Sequence, residues 1–91
     1  MKRIHVIVTG RVQGVGFRFF TQQVATEHEI TGWVKNLTNG DVEIEAQASS
    51  NNLDAFLKKL KKGPGLFASV KDTKIDQVES IENEDSFRIL Y

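Results

Sequence analysis

Apolar and polar residues alternate over Ile4-His5-Val6-Ile7-Val8 and again over residues 42–48, where Glu43, Glu45 and Gln47 separate Val42, Ile44, Ala46 and Ala48. A period of two sends successive side chains to opposite faces of an extended chain, so both stretches predict strands, the first over residues 2–9. Residues 17–28 carry no Gly or Pro, and Phe17, Phe20, Val24 and Ala25 recur at i, i+3, i+7 and i+8. That spacing predicts a helix with one apolar stripe. Leu53, Phe56, Leu57 and Leu60 draw a second stripe, behind a cap drawn from Ser50, Asn51 or Asn52, with Asp54 in the first turn. Lys58, Lys59, Lys61 and Lys62 fill the other face as a solvated surface near the negative helix end, and Gly63-Pro64-Gly65 stops the helix. Residues 30–35 predict a strand containing Trp33, with Asn36 close to its end, and Asn39-Gly40 predicts a hairpin into the strand at 42–48. A fourth strand falls within 70–78. Residues 79–85 hold four acids and predict a solvated connection, and 87–91 alternate again as a fifth strand with Phe87, Ile89 and Tyr91 on one side.

The order β-α-β-β-α-β with a short C-terminal fifth strand predicts an α+β, ferredoxin-like sandwich: an antiparallel sheet with two helices on one face. This topology has a chemical consequence. In a right-handed βαβ unit the first two strands run parallel, so their C-terminal ends share one sheet edge. Thr9-Gly10-Arg11-Val12-Gln13-Gly14-Val15-Gly16-Phe17-Arg18 leaves the first strand there, and Asn36 ends the second. The loop after the second helix, 63–69, returns to the same edge, where Leu66 or Phe67 are candidates to meet the non-phosphate part of a ligand, plain loop packing being the better account of both. Glycines at 10, 14 and 16 leave the main chain open to a ligand. The helix start adds unpaired N–H groups and a positive dipole end, which favour an anion. Arg18 adds a guanidinium fork suited to a phosphate-like group. The same residues also read as a glycine-rich turn beside a solvated arginine.

Ninety-one residues predict one domain spanning residues 1–91. Twelve basic side chains balance twelve acidic ones, which argues against broad nucleic-acid or membrane adhesion but not against one small anion site. The absence of cysteine excludes disulfides, thiolate catalysis and thiolate metal sites. His5 and His28 are the only imidazoles, too few for a histidine metal cage, and His5 sits mid-strand as a polar residue of the less buried face. No apolar run approaches about 20 residues and no signal segment precedes the first strand, so a cytoplasmic location is expected. No surplus apolar surface stands out, so a monomer is expected.

Val12-Gln13-Gly14-Val15-Gly16-Phe17-Arg18 together with Gly32-Trp33-Val34-Lys35-Asn36 resembles the acylphosphatase family, over essentially the whole chain. The resemblance implies a small enzyme that hydrolyses the carboxyl–phosphate bond of acyl phosphates without metal or cofactor. It implies that Arg18 binds the phosphate, that Asn36 orients the attacking water, and that the main-chain amides of Gln13, Gly14, Val15, Gly16, Phe17 and Arg18 cradle the phosphate oxygens. The residues suit that chemistry. No Ser-His or Cys-His pair stands near the loop to support a covalent route. Asp41 is the nearest acid in sequence to Asn36, and turn formation explains it better than metal binding. An acyl phosphate releases a carboxylate whose conjugate acid has a pKa of about 4, so it departs without a general acid. With a loose transition state, positioning and charge stabilisation carry most of the catalysis. Simple phosphomonoesters lack such a leaving group and are expected to be poor substrates.

Three other readings compete. Residues 14–20 faintly echo the glycine–aromatic segment of RNA-recognition motifs, but that segment lies on the third strand there and on a strand–helix junction here. For Phe17, Phe19 and Phe20, core packing is a better account than base stacking for at least two. A second alternative is an accessory domain like those at the front of larger carbamoyl-phosphate-handling maturation proteins. The third is a phosphate-binding domain that does not turn over.

Overall fold

The structure is a computed structural model, and it describes residues 1–65 and 68–91. Five strands and two helices follow in the order β1 (Lys2–Arg11), α1 (Phe17–Glu27), β2 (Thr31–Asn36), β3 (Val42–Ala48), α2 (Ser50–Lys62), β4 (Ser69–Val78) and β5 (Phe87–Ile89). The sheet order is β4-β1-β3-β2-β5. β3 lies antiparallel to both β1 and β2, with Val6 opposite Ile44 and Asn36 opposite Val42. The ferredoxin-like order is therefore as expected, and β1 and β2 do run the same way. The hairpin turn also forms as the Asn-Gly signal predicts, with the Asp41 amide donating to Asn39 Oδ1 at 3.0 Å.

Alternation decides what each face buries. Ile4, Val6 and Val8 of β1 and Val42, Ile44 and Ala46 of β3 point to the helices and are buried with Phe17, Val24, Ala25, Leu53, Phe56 and Leu60. Each of the Val, Ile, Leu and Phe side chains among them stabilises the fold by about 1.5–3 kcal/mol through the apolar surface it removes from water. Phe87 closes this core edge-on against Phe56, ring centroids 6.2 Å apart. None of the described helices is long and apolar enough to cross a membrane.

Five expectations need correction. The sheet is mixed rather than antiparallel throughout, because β5 pairs with β2 in parallel, Gly32 opposite Phe87 and Val34 opposite Ile89. The chain crosses to the N-terminal end of β2 before β5 starts, so both strands then run toward the same edge. β5 also ends at Ile89, leaving Tyr91 exposed beyond it. The cap of α2 is Ser49, whose Oγ accepts from the Asn52 amide at 3.3 Å, and Asp54 consequently falls beyond the first turn. β1 runs on to Arg11, because a bulge between Thr9 and Gly10 lets the strand keep pairing with β4.

The fifth correction concerns the face turned away from the helices. Arg3 lies there with a side chain 0% exposed. Its Nε donates to Glu45 Oε1 at 2.6 Å, and its two terminal nitrogens reach Glu84 at 2.7 and 3.3 Å. Gln47 joins the cluster through Arg3 and exchanges hydrogen bonds with the Ile81 main chain, 2.8 Å in each direction. The segment 79–86 is thus not merely a solvated connection. Its Glu79, Glu82 and Asp85 are exposed, but Glu84 and the Ile81 backbone close over the guanidinium. His5, on the same face, pairs with Glu43 at 2.7 Å, as a polar residue of that face should.

Burial works against the charge on Glu84, yet the Arg3 hydrogen bonds and charge outweigh it and hold the carboxyl below its ordinary range. A carboxyl with a lowered folded-state pKa contributes stability above its unfolded pKa and loses it as the pH falls through the folded one. Thermal melts between pH 7 and pH 3 should therefore show an acid decline that is shallower in Glu84→Gln. Equal slopes would mean that the pair carries no linkage.

Candidate active site

β1 ends two residues after its bulge, and Val12, buried in the core, anchors the loop that follows. Gly14 and Gly16 have φ of 72° and 77°, in the left-handed region, with open space where a Cβ would stand. Backbone angle, not crowding, calls for glycine at both positions. Gly16 caps α1: its carbonyl accepts from the Phe20 amide at 3.0 Å, no side chain caps the helix, and its first turn holds no acid. The first amides of α1 therefore lack intrahelical partners and face outward with the positive dipole end.

Arg18 stands in that first turn, half-buried. Its Nη1 donates to the Leu90 carbonyl at 3.5 Å, and its Cζ lies 4.9 Å from the centroid of the Tyr91 ring. Across from it, Asn36 ends β2 with Oδ1 buried and, among the described residues, without a hydrogen-bond partner. Such an atom is unusual, because a buried acceptor left unpaired costs about 1–3 kcal/mol. Val12, Gly14, Gly16, Phe17, Arg18, Phe19 and Asn36 enclose a pocket of about 90 Å³ between them, the scale of one small oxyanion.

The expected meeting of the glycine loop, Arg18 and Asn36 at one sheet edge is therefore what the fold produces. Gly14, Gly16, Phe17 and Arg18 line the pocket, while the side chains of Gln13 and Val15 are engaged elsewhere. Gln13 Nε2 donates to the carbonyls of Leu37 and Asp41, both at 2.7 Å, and Val15 packs on the core. Leu66 and Phe67 lie outside the described residues. Phe17 is buried and Phe20 half-buried against it, as core packing of two of the three predicts, while Phe19 is 70% exposed at the rim.

Sequence reasoning missed Val12 and Phe19 as lining residues, and it missed the tail beside Arg18. The direction of β5 is the reason for the last: running parallel to β2, it delivers Leu90 and Tyr91 to the edge that carries Asn36. A larger groove, about 400 Å³, opens near the N-terminal end of β2, but its lining includes Glu29 and Asp85 and, among the described residues, no basic side chain. An anion is disfavoured there. The small pocket has the opposite character.

A family model described as Acylphosphatase matches residues 4–89. An acylphosphatase of Oceanobacillus iheyensis is 48% identical over 91 residues, covering 100% of both chains. The crystal structure of acylphosphatase from Bacillus subtilis matches this fold with a TM-score of 0.94 at 42% identity, again covering 100% of each. The T. kodakarensis HypF structure matches with a TM-score of 0.87 at 31% identity, and there the chain covers only 12% of the other protein. The end-to-end similarity, joined to an oxyanion-sized pocket walled by a glycine loop, an arginine and an asparagine, places this chain in the acylphosphatase family.

Proposed function

We propose that the chain hydrolyses the carboxyl–phosphate bond of small acyl phosphates, releasing a carboxylate and inorganic phosphate, with no metal or cofactor. The carrying observation is Asn36, its Oδ1 buried and unpartnered among the described residues, lining the same small pocket as Arg18 beside the start of α1, which no side chain caps. The main-chain amides of the loop and the first turn, from Gln13 to Arg18, hold the phosphoryl oxygens. Arg18 takes two of those oxygens through its fork and neutralises charge as the bond to the carboxylate stretches. Asn36 cannot remove a proton, but Oδ1 accepts a hydrogen bond from a water and holds it in line with the breaking bond. The leaving carboxylate departs unprotonated, so no general acid is needed. The molecule works as a monomer, as one domain over residues 1–91, in the cytoplasm.

The full-length match to the Oceanobacillus relative supports the free enzyme over an accessory domain of a longer chain. The test is phosphate release from benzoyl phosphate in EDTA, with p-nitrophenyl phosphate as control. Rapid, chelator-resistant hydrolysis of the acyl phosphate alone is expected. A folded protein that releases no phosphate would instead point to the binding or accessory reading.

Asn36→Ala is expected to lower kcat by about tenfold to a hundredfold while inorganic phosphate still inhibits competitively with a similar constant. A variant altered only in phosphate affinity would contradict the water-orienting role.

A further inference from the structure

We propose that the Gln13 side chain is a positioning residue: it clamps the neck of the β2–β3 hairpin and so holds Asn36 in register with the phosphate loop. This rests on the acyl phosphate hydrolase reading above and assigns the Gln13 side chain a role separate from that of its main-chain amide. A primary amide carries two N–H donors, and Gln13 uses both, on Leu37 O and Asp41 O at 2.7 Å each. Those two carbonyls belong to the two arms of the hairpin. Asn36 and Val42 form the last pair of the β2–β3 ladder, and Leu37 and Asp41 are the next residues out on each arm. The Leu37 amide also donates to Asp41 O at 2.8 Å, so this carbonyl accepts from both arm and loop.

The clamp matters because Asn36 has no tether through its own acceptor: Oδ1 is buried without a partner among the described residues. Where that atom stands is then set by the Asn36 main chain, and the loop grips this main chain one residue away, through Leu37. The grip comes from Gln13, five residues before Arg18 on the segment that carries Gly14 and Gly16. One side chain thus connects the group that orients the water to the groups that hold the phosphoryl oxygens. In-line attack depends on that separation, and a displacement of about 1 Å can cost about a hundredfold in rate. The geometry also explains the residue type. Glutamate has the length but, ionised, turns acceptors toward two carbonyls, and asparagine is one methylene too short to span both arms.

The experiment measures kcat for benzoyl phosphate and Ki for inorganic phosphate in wild type, Gln13→Met, Asn36→Ala and the double variant, with thermal melts of each. Methionine keeps the length and removes both donors. Gln13→Met should lose about tenfold in kcat, keep Ki within about twofold, and cost less than a further twofold when added to Asn36→Ala. A merely structural role would instead lower kcat by the same factor in both backgrounds, or raise Ki in step, and either result overturns the inference. So does full turnover in Gln13→Met. If Gln13→Met melts below the assay temperature, Gln13→Asn is held to the same three outcomes. An inactive but folded wild type would overturn the hydrolase reading itself, which an active wild type with an unaffected Gln13→Met would leave standing.

Discussion

Arg18→Ala should lower kcat/KM for benzoyl phosphate by at least about 10²–10³, or about 2.7–4 kcal/mol, the scale of losing one preorganised transition-state donor. The physical case rests on what remains. Among the described residues, Arg18 is the only basic side chain lining the pocket, and the other polar groups there are main-chain amides and the Asn36 amide. Amides can hold phosphoryl oxygens, but they bring no net charge to meet the charge that moves onto them and onto the leaving carboxylate. The substrate is anionic before it reacts, so binding should weaken as turnover falls, and inorganic phosphate should inhibit less well. Arg18→Lys supplies the charge without the fork and should recover only part of the rate. The fold should survive, because the side chain is half-exposed and its hydrogen bond among the described residues is a long contact to Leu90 O. A loss below about 1 kcal/mol in a folded variant would remove Arg18 from its assigned role.

The second large effect is on stability. Arg3→Ala leaves Glu45 and Glu84 facing one another across the space the guanidinium filled, and strips Gln47 of a donor. Breaking a buried ion pair from one side costs about 3–5 kcal/mol, and the lower end applies because both carboxylates retain some contact with solvent. About 3 kcal/mol is a large fraction of the total for a chain of this size, of order 5–15 kcal/mol. Urea titration should show a lower midpoint with a similar slope, and the hydrolysis rate of the folded fraction should be unchanged, since Arg3 starts the strand whose far end carries the phosphate loop. A midpoint corresponding to less than about 1 kcal/mol would mean the cluster behaves as an ordinary surface ion pair.

These residues also mark where the sequence was readable. β3 could be read to its last residue, because one face lies on the helices and the other carries Glu43, Glu45 and Gln47, so the period of two is clean. The meeting of Arg18 with Asn36 could be read from topology, since parallel first and second strands leave their ends at one edge. Arg3 could not. It stands between exposed Lys2 and Ile4 like any charged residue near a strand end, and its partners are 42 and 81 positions away. No local period encodes a pairing at that distance. The direction of β5 was hidden for a related reason: three residues carry too little pattern to say which way a strand runs. Gln13 was hidden because a loop has no periodicity from which to infer where a side chain points. The Ser49 cap was missed by one position in a run where several neighbours are equally able to cap.

The Arg3 cluster makes the sheet a two-sided material. Its helix-facing side is held by apolar burial, which excluded solutes such as sulfate strengthen and which weakens on cooling. Its other side is held by charges whose dehydration becomes less costly as the temperature rises. Dissolved ions divide that second side again. They screen the more exposed Lys35–Glu43 contact, while Arg3, sealed under 79–86, is shielded from them. Cold, heat and salt therefore each press on a different layer of the same five strands.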